Sequence, residues 1–255
     1  MKKRIIASLV IGLLFILPGT LSGSYWKFPP LPPPHEYGNL LINRTSEANQ
    51  VKPVFFSHWS HRLKYSCRVC HLELDFEFLK NSTEITEQDN LQGRYCGACH
   101  DGKEVFGHTK KEDCEKCHSG SKSEGRERFE ALTGGFPRTF YGNRIDWVVA
   151  EAEGRMKPKY SLRGDTPPTE TDFKRRLELN AEWSFIPPAY FPHEPHTAIL
   201  DCANCHPAIF NIEKNTTPDF RMDYILQRRF CGVCHIDVAF PLDDCNRCHP
   251  GISKQ

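Results

Sequence analysis

Apolar residues form one long run, Ile5 to Leu17, and nowhere else gather at that length. Lys2, Lys3 and Arg4 precede it, Pro18 and Gly19 close it, and small residues follow at Thr20, Ser22, Gly23 and Ser24. A positive start, an apolar stretch of thirteen residues and a small-residue exit make the pattern of an export signal. The stretch falls short of the roughly 20 residues a spanning helix needs. Residues 1–24 are therefore expected to be a signal peptide, with an uncleaved anchor as the alternative. No Cys lies near this segment, which excludes a lipoprotein anchor, and no other stretch could cross a membrane.

Beyond the signal, hydrophobic positions come in short groups broken by Pro and Gly. The chain has 19 Pro and 17 Gly, so long uninterrupted helices should be few. Phe28 to Pro34, rich in Pro, should be extended. Ile145 to Ala152 is the best helix candidate between the chemistry-bearing regions, and Gly164 to Thr171, with Pro167-Pro168, reads as a loop. The expected fold class is mainly coil with short α-helices and little β.

Apolar residues make up 39% of the chain and aromatics 11%, which is modest for 255 residues that must bury a protein-only core. The composition suits short segments packed around something that is not protein. Loss of residues 1–24 leaves 30 Lys and Arg against 32 Asp and Glu, a net charge of −2. That balance argues against a nucleic-acid binder, whose affinity rests on neutralising phosphates. There is no G-x-S-x-G, no phosphate-cradling glycine loop and no nucleotide fingerprint, so no small-molecule substrate is evident. Asn43-Arg44-Thr45, Asn81-Ser82-Thr83 and Asn215-Thr216-Thr217 fit a glycosylation triplet and are read as coincidence.

The twelve cysteines change the picture. They are Cys67, Cys70, Cys96, Cys99, Cys114, Cys117, Cys202, Cys205, Cys231, Cys234, Cys245 and Cys248. Each pair is a C-x-x-C unit followed at once by a histidine: His71, His100, His118, His206, His235 and His249. Two thiols three positions apart can add to the two vinyl groups on one edge of a porphyrin, and the adjacent His reaches the iron as proximal ligand. Zinc ribbons also use C-x-x-C pairs, four ligands to a site. An exported chain with an even Cys count could also be a disulfide framework. Neither explains a His after every second Cys. The spacing points to six covalent haem c groups.

The chain also repeats itself. Phe56-x-His58-x-x-His61 stands five residues before Cys67, and Phe191-x-His193-x-x-His196 stands five residues before Cys202. Cys67 to Cys96 and Cys202 to Cys231 are both 29 residues, and the middle motifs read RYCGACH and RFCGVCH. The last gaps differ, 18 residues against 14. Tyr37-Gly38-Asn39 and Tyr141-Gly142-Asn143 form a weaker echo upstream. The expected organisation is a signal peptide over 1–24, a leading segment with a three-motif module over 25–120, a connector without these motifs over 121–185, and a second three-motif module over 186–255.

The pattern F-x-H-x-x-H followed by three C-x-x-C-H motifs resembles the triheme module of cytochrome c7-type proteins within the wider cytochrome c3 family. The resemblance covers about half the chain in two copies. It implies closely packed, low-spin haems used for electron transfer, usually with two His ligands, in an anaerobic, metal- or sulfur-respiring setting. By this resemblance His58 and His193 would ligate the first haem of their modules. His61 and His196 would reach another nearby, expected to be the third.

Six histidines remain beyond the proximal ones: His35, His58, His61, His108, His193 and His196. Supply matches demand, so six haems with two His each are possible. His108 lies in the longer last gap and is expected to serve the first module's middle haem. His35 follows Pro32-Pro33-Pro34 and is either a ligand or an ordinary exposed residue. Met222 is a candidate thioether for the second module's middle haem, with His35 as the rival, and Glu87 holds the corresponding place in the first module. Lys110-Lys111 and Lys174-Arg175-Arg176 are candidates to pair with haem propionates or dock an acidic partner.

Some 39 residues for each haem leave no room for a conventional core, so the haems themselves should be the core. The expected function is an electron relay in the periplasm or at the outer surface. Its partners would be a membrane quinol-oxidising complex and outer-membrane or extracellular cytochromes. A multihaem reductase with an open iron site, or a subunit of a conductive filament, are the alternatives.

Overall fold

The computed structural model describes residues 27–168, 176–183 and 185–252. The expected signal peptide lies outside these residues, as does the end of the loop expected at Gly164 to Thr171. Among the described residues no helix is long and apolar enough to cross a membrane.

The first repeat opens with an antiparallel ribbon of β1 (Asn39–Ile42) and β2 (Val54–Ser57), with α1 (Arg44–Ala48) in the connection. Asn39 pairs with Ser57 and Ile42 with Val54. At Ser57 the chain turns from extended backbone into α2 (His58–Arg62). A π-helical turn (Val69–Glu73), α3 (Glu87–Leu91), a 3-10 turn (Tyr95–Ala98) and α4 (Lys111–Cys117) follow. Between the repeats lie α5 (Arg126–Thr133) and α6 (Trp147–Ala152). The second repeat again has a ribbon, β3 (Arg176–Leu179) with β4 (Ala189–Pro192), running straight into α7 (His193–Thr197). It continues through a 3-10 turn (Cys202–Asn204), α8 (Met222–Leu226), α9 (Gly232–His235) and α10 (Cys245–Cys248). The protein is mainly coil with short helices and two small ribbons, as the broken hydrophobic pattern implies.

α6 starts two residues after the expected Ile145, because the Asp146 side chain accepts from Val149 N at 3.2 Å and caps the helix there. Ile145 itself joins a protein core cluster, with Trp59 of α2 and Phe129 of α5, against which Phe136 and Trp147 pack. The Tyr-Gly-Asn echo does not mark equivalent positions. Asn39 lies in β1, whose counterpart β3 begins at Arg176. The two echoes meet instead: a side-chain carbon on Gly142 would lie 3.2 Å from the Tyr37 ring.

The first motifs of the two repeats are joined directly. Arg68 N donates to Ile199 O at 3.0 Å, and Asn204 Nδ2 donates to the carbonyl of His71 at 3.0 Å. The Arg68 guanidinium covers the Tyr160 ring at 4.9 Å, pairs with Glu73, and lies 3.6 Å from Asp201. Ser66 N donates to Lys159 O at 2.9 Å, so the connector backs this junction.

Candidate haem-binding sites

Each C-x-x-C unit lies on a helical turn or beside one, which brings thiols three residues apart to one side. All twelve cysteines are free. Among the described residues no three His, Cys, Asp or Glu side chains converge as a metal ion requires. Burial pushes the thiols of Cys70, Cys231 and Cys234 up to about 12, and those of Cys96 and Cys248 up to about 11. They stay protonated at neutral pH. Neighbouring cysteines raise them further. Cys96 feels Cys117, Cys70 feels Cys96 and Cys99, Cys234 feels Cys67 and Cys205, and Cys231 feels Cys248. Neighbours of this kind link all six motifs and cross from one repeat to the other.

The histidines carry the clearest signal. All six proximal rings place Nδ1 against a backbone carbonyl: His71 on Phe76, His100 on Phe106, His118 on Lys52, His206 on Phe210, His235 on Phe240 and His249 on Pro187. His58 does so on Gly38, His61 on Ser57, His108 on His100 and His196 on Pro192. These ten distances span 2.7–3.1 Å. A carbonyl can only accept, so Nδ1 carries the proton and Nε2 keeps its lone pair. That is how a metal-ligating imidazole is held. Burial also lowers the His58 ring to about 3 and the His235 ring to about 4, and lowers His61, His71, His100 and His196 as well. These rings are neutral at neutral pH, with no proton to displace.

The phenylalanine of each F-x-H-x-x-H sorts the two rings after it. Phe56 meets the His58 ring edge-on at 4.9 Å and stacks on His61 at 4.5 Å. Phe191 meets His193 edge-on at 4.8 Å and lies 4.4 Å from His196. The second histidine of each pair then faces the middle motif. His61 and His100 have ring centroids 6.2 Å apart, and so do His196 and His235. Two imidazoles sharing one metal at about 2 Å from each nitrogen put their centroids about 6 Å apart. The second histidine of each pair thus stands opposite the proximal ring of the middle motif, rather than that of the third as the sequence led one to expect. Sequence spacing could not decide this, because the ring is aimed by its bond to Ser57 or Pro192 in the preceding strand.

His108 rests its Nδ1 on the carbonyl of His100. Met222 opens α8 and is half-buried, while Glu87 opens α3 and is exposed. His193 sits at the start of α7. His35 is buried, and its Nε2 has no hydrogen-bond partner.

Cations near the motifs differ from those the sequence singled out. Lys110 and Lys111 are exposed at the start of α4, and Lys174 and Arg175 lie outside the described residues. Arg176 is exposed and covers Tyr190 at 4.4 Å. Arg62 instead reaches inward, over Trp147 at 4.8 Å and toward Val238 O at 3.5 Å. A lone arginine at the end of a short helix gives no sequence signal for this.

Short helical turns, small protein cores and duplicated sets of three C-x-x-C-H motifs, with histidines offering Nε2, define a multihaem c-type cytochrome. The chain belongs to the family described as cytochrome c7 and related cytochrome c, which matches residues 54–119 and 189–250. Such proteins bind haem c covalently and are electron carriers. Among solved structures, the C-terminal hexaheme fragment of GSU1996 is 25% identical over 88% of this chain and 99% of that one, with a TM-score of 0.27. The dodecaheme cytochrome c GSU1996 is 26% identical over 80% of this chain and 72% of that one, with a TM-score of 0.28. No curated protein matches.

Proposed function

We propose that the chain is an exported hexahaem cytochrome that relays electrons between redox proteins. Donor and acceptor would be a membrane quinol-oxidising complex and an outer-membrane or extracellular cytochrome. The twelve cysteines hold six haems in thioether links, with His71, His100, His118, His206, His235 and His249 as proximal ligands. His58 and His193 serve the first haem of each repeat, and His61 and His196 the middle one. His108 serves the first repeat's third haem. Each haem, when bound, supplies a one-electron ferric–ferrous couple.

The observation that carries this reading is the duplicated imidazole arrangement. Ten Nδ1 atoms are pinned to carbonyls, and two opposed pairs stand at the separation one iron needs. Rings held this way keep their orientation when the charge on the iron changes, which keeps reorganisation small. The bond from Asn204 to His71 sets the first motifs of the two repeats side by side, so a path can cross the whole molecule.

Intact mass and a reduced-minus-oxidised spectrum of the mature protein test the proposal. A mass excess of six haems with low-spin spectra is expected. A smaller excess, or a high-spin haem that turns over a small substrate, would replace the relay by a different stoichiometry or by a reductase.

A further inference from the structure

The ligand set proposed above leaves one place unfilled, opposite His249 in the third motif of the second repeat. In the first repeat the segment between the middle and third motifs carries His108, held at Nδ1 by the carbonyl of His100. The corresponding segment of the second repeat, residues 236–244, contains no histidine.

The leading segment of the chain lies on that histidine-free stretch. Tyr37 donates its hydroxyl to Ala239 O at 2.7 Å. A side-chain carbon on Gly38 would lie 4.0 Å from Asp237 O. Phe28, Pro29 and Leu31 line a groove with Ile236, Pro241 and Leu242. On the same leader, His35 is only 5% exposed. Its Nε2 is buried without a hydrogen-bond partner, and the nearest carboxylate oxygen, on Glu36, is 3.7 Å away. Asn39 fixes the turn by donating to His35 O at 2.9 Å. A buried ring nitrogen left unpaired is costly, and its lone pair is open to a ligand-seeking atom.

We infer that His35 supplies Nε2 as sixth ligand to the haem held by Cys245, Cys248 and His249. The leader thereby completes the second repeat from the far end of the chain, and Met222 is a packed side chain. This rests on the hexahaem reading. One rival site lies within reach. Asn39 Nδ2 also donates to Lys122 O at 2.9 Å, four residues beyond His118, so the first repeat's third haem is the competing destination.

Four variants of the full-length, haem-loaded protein separate the cases: His35→Ala, His108→Ala, the two combined, and Met222→Leu. Ferric spin state is read by electron paramagnetic resonance, and haem number by intact mass. Each histidine variant is expected to convert one haem to high spin, the combination two, and Met222→Leu none. Low-spin haems throughout His35→Ala, a combination no worse than one single variant, or a high-spin haem in Met222→Leu would each overturn the inference. If His35→Ala does not accumulate, His35→Met is used. It is expected to stay low-spin and to raise the potential of one haem, since a Met ligand favours the reduced iron. An unshifted redox titration would then overturn it. Wild-type haem number, read from the same mass spectra, reports on the hexahaem reading separately.

Discussion

Both middle motifs carry a glycine after their first cysteine, and both glycines are closed in by backbone. A methyl group on Gly97 would collide with the carbonyl oxygen of Asn90, and one on Gly232 with that of Ile225. These are the same position in the two repeats, six residues before the motif. The helix that precedes the motif is thus seated on the glycine, and no side chain fits between. Gly97→Ala is expected to cost at least ~1–3 kcal/mol through overpacking and to loosen the ring of His100. Thermal unfolding and the spin state of the middle haem would check it. Arg62 supplies a second residue-scale effect. It feels Cys67 and Cys234, one from each repeat, so its charge sits between two haem attachment points. A fixed positive charge favours the reduced, less positive iron. Arg62→Gln is expected to lower the potential of a neighbouring haem by ~40 mV, the one-electron equivalent of ~1 kcal/mol. A potentiometric titration superimposable on the wild type would refute this.

Two of the short elements have their N-termini tied by side chains. Thr86 and Asp89 form a capping box on α3, with Thr86 Oγ1 accepting from Asp89 N at 3.1 Å and Asp89 Oδ2 from Thr86 N at 2.9 Å. Asp201 and Asn204 do the same for the turn that carries Cys202. Thr86→Ala is expected to cost ~1 kcal/mol and to lower the unfolding midpoint of the loaded protein. A midpoint unchanged within error would show the cap to be idle. The glycosylation-like triplets acquire a local reason at this scale. Asn81 and Asn215 adopt left-handed backbone, at φ 67° and 63°. Thr83 and Thr217 accept from the backbone N of Glu77 and Asn211, six residues earlier, at 2.8 and 3.0 Å. These two triplets are a repeated turn. The third, at Asn43, instead pairs its asparagine with Asn81. Much of this layer was legible in the sequence. The repeat fixed where ribbons, paired histidines and motifs recur, and Pro and Gly foretold short elements. α5 was not legible, because the residue before it, Gly125, is a left-handed glycine without a capping side chain and its buried residues are only Phe129 and Thr133. Which proximal ring His61 faces was not legible either, since a ring's reach depends on the carbonyl that aims it.

Across the whole molecule, what is missing from the core is the informative quantity. Only twelve hydrophobic residues are buried among the described residues, and three of them, Trp59, Phe129 and Ile145, form a core cluster. A chain of this length normally buries well over half of the surface its unfolded form exposes, and that burial opposes a conformational entropy cost of 1–2 kcal/mol for every ordered backbone residue. The protein side chains cannot meet that demand alone. Residues that would line a core in another protein, such as Phe56, Phe191, Phe240 and the histidines, pack around the motif turns instead. The covalently held haems must therefore supply most of the apolar surface, and folding should wait on their attachment. The polypeptide made without haem-attachment machinery, kept reduced, is expected to give a coil-like far-ultraviolet dichroism spectrum and no cooperative thermal transition. The loaded protein should unfold cooperatively. Substituting only the two cysteines of one motif should give an intermediate case, with the damage greatest at Cys67 and Cys70. That motif touches the second repeat through His71, Arg68 and Asn204, so its loss removes a junction as well as a haem. A haem-free chain that melts cooperatively would mean that the protein core suffices, and the dependence of fold on cofactor argued here would fall.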